Sequence, residues 1–204
     1  MITCGPTWVP IDSVRVISNR STGEMGHLIA KDLKRLGAQI TLLEGPITHA
    51  ADLRSMKVIK FQFYEELLRL LKEQLKKKYD IIIHAAAVSD YRLKNSYAKK
   101  INSDRARVHL QLVPTEKIIH WIKRLSPKAF LVGFKLETGR DLKKLKQKAA
   151  ALIKQADCDL VVANSFEDQH YQGYILDKQQ NVLLDGKSRS DISLGLTKIL
   201  CQQK

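Results

Sequence analysis

The feature that most constrains this chain is a repeated switch between two hydrophobic periods. Short apolar runs stand at 1–4, 39–43, 57–61, 80–86, 129–134 and 159–163. Most are continuously apolar rather than alternating, the pattern of strands buried on both faces of a parallel sheet. Between them, apolar residues recur every three or four positions. Residues 24–36 carry Met25, Leu28, Ile29, Leu33 and Leu36 and stop at Gly37, a C′ glycine. Residues 64–78 place Leu67, Leu68, Leu71 and Leu75 on one face, and 115–125 do the same with Ile118, Ile119, Ile122 and Leu125. Further helices are predicted over 140–156 and 188–202. This alternation implies a Rossmann-like α/β fold: a doubly wound, mostly parallel sheet with helices on both faces.

Two segments break the rhythm. Residues 90–113 are polar and basic, then alternate as Val108-His109-Leu110-Gln111-Leu112, which reads as a mobile loop (91–107) feeding an antiparallel strand. Residues 171–184 read as a hairpin around a polar turn. With no repeat, low-complexity tract or linker, residues 1–204 read as one domain.

Charge and cysteine usage narrow the class. Lys plus Arg is 35 against 21 for Asp plus Glu, a net +14 that favours anionic partners. Many of these cations, such as Lys72, Lys76, Lys77 and Lys78, read as solvated helix faces. Cys4, Cys158 and Cys201 form no CxxC pair, which argues against a zinc site or disulfide framework. They are expected to be packing residues in a cytoplasmic protein. No apolar run approaches a membrane span, and the N-terminus reads as the first strand rather than a signal peptide.

The first strand is followed by Gly5-Pro6-Thr7 and then by Arg15, Asn19, Ser21, Gly23 and Gly26 ahead of a helix. Nucleotide phosphates bind where a strand turns into a helix, because free N–H groups and the helix dipole favour anions. The spacing departs from G-x-G-x-x-G, since Ser21 stands in the first glycine's place, and this weakens a dinucleotide reading. A glycine/serine turn with a Ser or Thr N-cap would look the same. Asn19 carries a neutral amide that can donate to an oxyanion while accepting from a neighbour. It is equally the residue type of an ordinary turn. His84 and His120 fall on apolar faces, where core or surface roles are expected.

Taken in order, these residues resemble a known family. Gly5-Pro6-Thr7, Val14-Arg15-Val16-Ile17-Ser18-Asn19, Ser21-Thr22-Gly23-Glu24-Met25-Gly26 and Ala85-Ala86-Ala87-Val88-Ser89-Asp90-Tyr91 are followed by Lys100-Ile101, Gly133-Phe134-Lys135-Leu136-Glu137-Thr138 and Val161-Val162-Ala163-Asn164. The set is similar to phosphopantothenoylcysteine synthetase and spans residue 2 to about 165. The resemblance implies a ligase of coenzyme A biosynthesis that joins 4′-phosphopantothenate to L-cysteine through an acyl nucleotidylate, without flavin, in a stand-alone form lacking the decarboxylase domain. It implies Mg²⁺ with the nucleoside triphosphate, and a homodimer paired through antiparallel strands at 105–113 and 171–184.

Residue by residue, the resemblance assigns Asn19 to the acyl intermediate, Lys100 to a loop closing over the phosphates, and Arg15 to the same centre. Gly5, Ser21, Gly23 and Gly26 fall on the phosphate turn. Ala85, Ala86, Ala87 and Asp90 fall on a second ligand-contacting turn, Phe134 on the base or ribose side, and Asn164 at the end of the last core strand. Thr115, Glu116, Lys117 and Ile118 occupy the place of the family's Asn-Pro-Asp-Ile segment, where Thr115 is expected to cap a helix. CTP-using members carry two lysines four apart on the helix after Glu-Thr. Lys148 matches the first, whereas Leu152 stands at the second. CTP is favoured over ATP. The rival classes are a nicotinamide-dependent reductase and a basic nucleic-acid-binding module. The first needs a full glycine fingerprint and a Tyr-x-x-x-Lys pair, but Asn95 follows Tyr91 and Ile101 follows Tyr97 at that spacing. The second needs exposed aromatics on a basic face, in a chain with 6 % aromatic residues.

Overall fold

Each apolar run becomes a strand of one sheet. The computed structural model describes residues 1–47, 53–104, 106–139, 141–167 and 170–202. In chain order the elements are β1 (Ile2–Cys4), β2 (Trp8–Pro10), β3 (Val16–Ser18), α1 (Glu24–Arg35), β4 (Thr41–Glu44), β5 (Lys57–Lys60), α2 (Tyr64–Gln74), β6 (Ile81–His84), β7 (Tyr91–Leu93), β8 (Leu112–Pro114), α3 (Ile119–Leu125), β9 (Phe130–Glu137), α4 (Leu142–Ala156), β10 (Leu160–Glu167), β11 (His170–Asp177), β12 (Val182–Gly186) and α5 (Arg189–Cys201). No helix among the described residues is long and apolar enough to cross a membrane.

The main sheet has eight strands in the order β12-β11-β10-β9-β6-β1-β4-β5. Strands β10, β9, β6, β1, β4 and β5 are parallel, and β11 and β12 add antiparallel at one edge. The chain starts in the middle at β1, moves outward to β5, then crosses back to β6 and moves outward the other way. β1 and β6 therefore flank the point where the strand order reverses, and the crevice at their carboxyl ends is where open α/β sheets bind ligands. One face of the sheet packs α1 and α5 through Ile29, Ala30, Leu33, Ile192, Leu196 and Leu200. The other packs α2, α3 and α4 through Leu67, Leu71, Ile122, Leu145, Ala149 and Ile153.

Several expectations need correction. Leu36 and Leu125 are 60 % and 44 % exposed, Leu36 as the C-cap of α1 and Leu125 as the last residue of α3, where the helices leave the packed face. On α2 the buried face is Leu67, Leu70 and Leu71 rather than Leu68, which is half-buried. Gly37 ends α1 as expected, with Ala38 N–H reaching back to Leu33 O at 3.1 Å. Cys4 and Cys158 pack in the core, but Cys201 is exposed at the end of α5. The two antiparallel segments do not form one extension. β11 and β12 edge the main sheet, while β8 pairs with β7 in a separate two-stranded ladder. The alternating residues 108–111 lie outside any strand, since that ladder reaches only as far as Lys94 N–H on Gln111 O. Residues 105 and 140, at segment edges, lie outside the described residues, as do 48–52 and 168–169.

The last residue of β6 ties the crevice to the sheet. His84 is 7 % exposed, and its Nδ1 lies 2.9 Å from Thr3 Oγ1. That hydroxyl also accepts the Ala86 N–H at 3.2 Å, so the imidazole, the hydroxyl and the backbone at Ala86 are linked. Burial pushes the His84 pKa down to about 4. The unfolded chain then binds the proton more readily, so stability is complete above about pH 6.5 and is lost as the pH falls toward 4. The loss is expected to be on the order of 3 kcal/mol. Thermal melts between pH 7 and 4 check this. His84→Asn, whose amide can bond Thr3 as donor or acceptor but does not titrate, should flatten the slope, and an unchanged slope would refute the assignment.

Candidate active site

The crevice is built from the ends of β1 and β6. Beyond Cys4 the chain turns at Gly5, and Ala87 N–H donates to Gly5 O at 2.9 Å while Thr7 N–H donates to Ala87 O at 3.3 Å. Ser89 N–H is held by Thr7 Oγ1 at 2.9 Å. These bonds align two turns, 5–7 and 85–90, side by side at the carboxyl edge. Ala85, Ala86 and Ala87 are half-buried along the second turn, and Asp90 is exposed at its end.

The first turn runs into α1 through the β2–β3 hairpin. Gly23 is the N-cap at φ 75°, a left-handed conformation in which a Cβ would lie 2.9 Å from the Ile47 side chain. Gly23 has no side chain to cap this helix, and the Glu24 N–H at its start donates to Thr22 Oγ1 in a long bond of 3.4 Å. Gly26 faces β1 so closely that an added Cβ would sit 2.3 Å from Cys4 Cβ. Of the four residues expected on a phosphate turn, Gly5 turns the chain at φ 79°, Gly23 opens the helix, Gly26 seats it on the sheet, and Ser21 is half-buried just ahead of it.

Asn19 follows β3 and spans the crevice. Its Nδ2 donates to Ala87 O at 3.0 Å and to Val88 O at 3.4 Å. Both neighbours are acceptors, so the amide nitrogen faces them and Oδ1 faces away. The expected donor is therefore engaged with the second turn, its longer bond being the easier to exchange.

Arg15 is paired rather than free. Its guanidinium lies 2.6 Å from Asp12 Oδ2 and donates to Ile101 O at 3.2 Å. Lys100, one residue before Ile101, is exposed. Asp12 was not singled out by sequence, although Asp12-Ser13-Val14-Arg15 has the spacing of an aspartate-capped turn. Its side chain is buried and accepts from the Val14 and Arg15 N–H groups at 2.8 Å each and from Ile101 N–H at 3.1 Å. The Ile101 N–H bond leads the causes that hold its carboxyl well below the usual aspartate range.

The 115–118 segment behaves differently from expectation. Thr115 does not cap α3, which starts at Ile119 with Ile118 as its uncapped N-cap. Instead Thr115 N–H donates to Asp90 O at 2.9 Å and its hydroxyl donates to Ser89 O at 2.6 Å, clamping the second turn. Lys117 pairs with the Asp90 carboxylate. Glu116 O accepts the Tyr64 hydroxyl at 2.8 Å. Ile118 is 2 % exposed in the core, which leaves only its backbone for a ligand.

Three predicted residues stand apart from this cluster. Phe134 packs half-buried against the α1/α5 face of the sheet. Asn164 lies in β10 opposite Leu136 and Gly173. Lys148 is exposed on α4, across the sheet. Leu152, where a second lysine was expected, leans on the backbone at Gly133.

Among the described residues, the groups that could close on a metal ion are Cys4, His27 and Glu44, all buried between α1 and the sheet. His27 Nε2 is 2.8 Å from Glu44 Oε1, and burial with the neighbouring Glu44 pushes the Cys4 thiol up to about 12. A protonated thiol beside a closed hydrogen-bonded pair does not make the oxygen cage that Mg²⁺ requires.

Residues 1–198 match the family described as DFP, the DNA/pantothenate metabolism flavoprotein C-terminal domain. The chain belongs to this family. The coenzyme A biosynthesis bifunctional protein CoaBC of Thermococcus kodakarensis is 42 % identical over 168 residues, covering 82 % of this chain and 41 % of that protein. The chain spans about half the length of the curated relatives it matches. Among solved structures, the DNA/pantothenate metabolism flavoprotein of Streptococcus pneumoniae superposes with a TM-score of 0.88 at 24 % identity, covering 100 % of this chain and 98 % of that one. A Cab2 variant in complex with phosphopantothenate-cysteine superposes at 0.75 and 19 % identity, covering 100 % of this chain and 88 % of that one. At such identities the likeness bears on the Rossmann-like fold.

Proposed function

We propose that this domain is a phosphopantothenate–cysteine ligase of coenzyme A biosynthesis. Family membership supports the reading, and the observation that carries it is the Asn19 amide bridging to Ala87 and Val88 across the β1–β6 crevice. In the first step a carboxylate oxygen of 4′-phosphopantothenate bonds to the α-phosphorus of a nucleoside triphosphate, and pyrophosphate leaves. In the second the L-cysteine amine bonds to the acyl carbon, the nucleoside monophosphate leaves, and the amine proton passes to solvent. Neither step asks the protein for a covalent bond. Its work is to position anions and stabilise developing charge.

In this scheme Gly5, Ser21, Gly23 and Gly26 present the α1 N-terminus to phosphate oxygens. Asn19 exchanges its long bond to Val88 O for the acyl oxyanion. Lys100, carried on the 91–107 loop, closes on the phosphates, while Ala85, Ala86, Asp90 and Thr115 line the nucleoside side. Mg²⁺ would accompany the nucleoside triphosphate and would neutralise phosphate charge, and flavin has no part. CTP is favoured over ATP because the insert-free chain resembles bacterial members, although only Lys148 of the two lysines of CTP-using members is present. Exposed Val108 and Leu110, outside any strand, support a homodimer, since alternate apolar residues there suit pairing with a second chain, and the protein is read as cytoplasmic.

The test is a pyrophosphate-release assay with phosphopantothenate, cysteine and Mg²⁺, run with CTP and ATP in parallel. Release that requires phosphopantothenate supports the reading, and faster release with CTP supports the nucleotide choice. No release with either nucleotide sinks it.

A further inference from the structure

The loop that carries Lys100 leaves the sheet at Leu93 and returns at Leu112, with its stem closed by the β7–β8 ladder. A second hold lies beyond that stem, on the turn between β2 and β3. Tyr97 N–H donates to Ile11 O at 2.9 Å, and Ile101 N–H donates to Asp12 Oδ2 at 3.1 Å. Arg15 closes the arrangement by bonding both Asp12 Oδ2 and Ile101 O. The Ile101 side chain is 6 % exposed, so the residue is seated as well as bonded.

The two carboxylate oxygens of Asp12 divide their work. Oδ1 accepts the Val14 and Arg15 N–H groups and shapes the turn. Oδ2 reaches a residue 89 positions away. The strand that leaves this turn is β3, which delivers Asn19. The residue beside the far anchor is Lys100. One buried carboxylate thus stands between the two groups the ligase scheme needs in register.

We propose that Asp12 is a positioning residue: its Oδ2 bond to the Ile101 N–H sets where Lys100 stands relative to Asn19. Turn and loop move as one body, and Arg15 acts by bracing that joint. The inference rests on the reading of Lys100 under the proposed function.

Asp12→Asn keeps the shape but leaves one oxygen where two are used, so either the turn or the Ile101 N–H loses its acceptor. A misplacement of about 1 Å at a reacting centre costs roughly 10²-fold in rate, so kcat should fall between about 10- and 100-fold. The KM for phosphopantothenate should change by less than about 3-fold, because the variant removes no group that touches that substrate. The decisive comparison is a cycle with Lys100→Gln. If Asp12 acts through Lys100, Asp12→Asn should cost less than about 3-fold once Lys100 is gone. The same loss in both backgrounds, or no loss in the parent, overturns the positioning role. If Lys100→Gln itself turns over at the parent rate, the reading of Lys100 is what fails, and the joint loses its purpose with it. Should Asp12→Asn not fold, amide hydrogen exchange on the parent decides: the Ile101 N–H should be protected like the Lys94 N–H of the ladder. Free exchange at Ile101 overturns the joint.

Discussion

Replacing Asn19 with aspartate should leave a folded protein whose ligase rate is lower by at least about 10²-fold, the usual cost of removing one oxyanion donor. Asn19 is exposed and belongs to no core cluster, so its loss removes little packing. Its amide nitrogen, however, meets two carbonyl oxygens, of Ala87 and Val88. An aspartate there has no proton to give at neutral pH and turns a negative oxygen toward both. The clasp between the β3 end and the second turn should open, and an acyl oxyanion entering the crevice would meet charge of its own sign. Single-turnover measurement of the acyl nucleotidylate, trapped before cysteine is added, reads the first step alone. Circular dichroism and a thermal midpoint within a few degrees of the parent separate a chemical defect from unfolding. A variant forming the nucleotidylate within about 10-fold of the parent rate would remove Asn19 from its central role.

Most of the frame was legible because parallel strands buried on both faces must be apolar throughout, and amphipathic helices must repeat near every third or fourth residue. That is why β1, β4, β6, β9 and β10 fall where the apolar runs do. The exceptions share a cause. β2, β3 and β7 are only three residues long, and every residue of β3 is exposed, so their pairing comes from bonds between distant residues rather than from a period. β9 and β10 run on to Glu137 and Glu167 because they pair with each other, and β10 with β11, past the edge of the core.

The site divides the same way. Asn19 and the 85–90 turn were read from a resemblance, and they meet. The parts that hold them were silent in the sequence. Asp12 looked like one acidic residue among many. His27 and Glu44 sit in apolar surroundings that predict neither their burial nor their bond. Thr115 was taken for a helix cap, and in the fold it serves the turn beside it. Residue type announces chemistry, but which polar group satisfies which is settled by the tertiary structure.

The seat of α1 offers the sharpest test of that tertiary layer. Gly26→Ala adds a single methyl group, which is ordinarily favourable in a helix interior. Here it would fall 2.3 Å from Cys4 Cβ, with Cys4 Sγ at 3.4 Å and Cys4 Cα at 3.5 Å. These neighbours are the start of a side chain and backbone in the centre of the sheet, so relief requires moving the helix. α1 is also fixed to the sheet by the His27–Glu44 pair and packs beside α5 on the same face, and shifting it strains both. Overpacking of this kind costs about 1–3 kcal/mol, which in a chain of this size lowers Tm by roughly 2–12 °C. In the proposed scheme the N-terminus of this helix meets the phosphates, so nucleotide KM should rise along with the loss of stability. Cys4→Gly in the same chain removes the opposing Cβ and should restore much of the nucleotide KM, even though a glycine in β1 is itself costly. If Gly26→Ala melts with the parent, or Cys4→Gly rescues nothing, close contact between α1 and β1 is not what seats the phosphate turn.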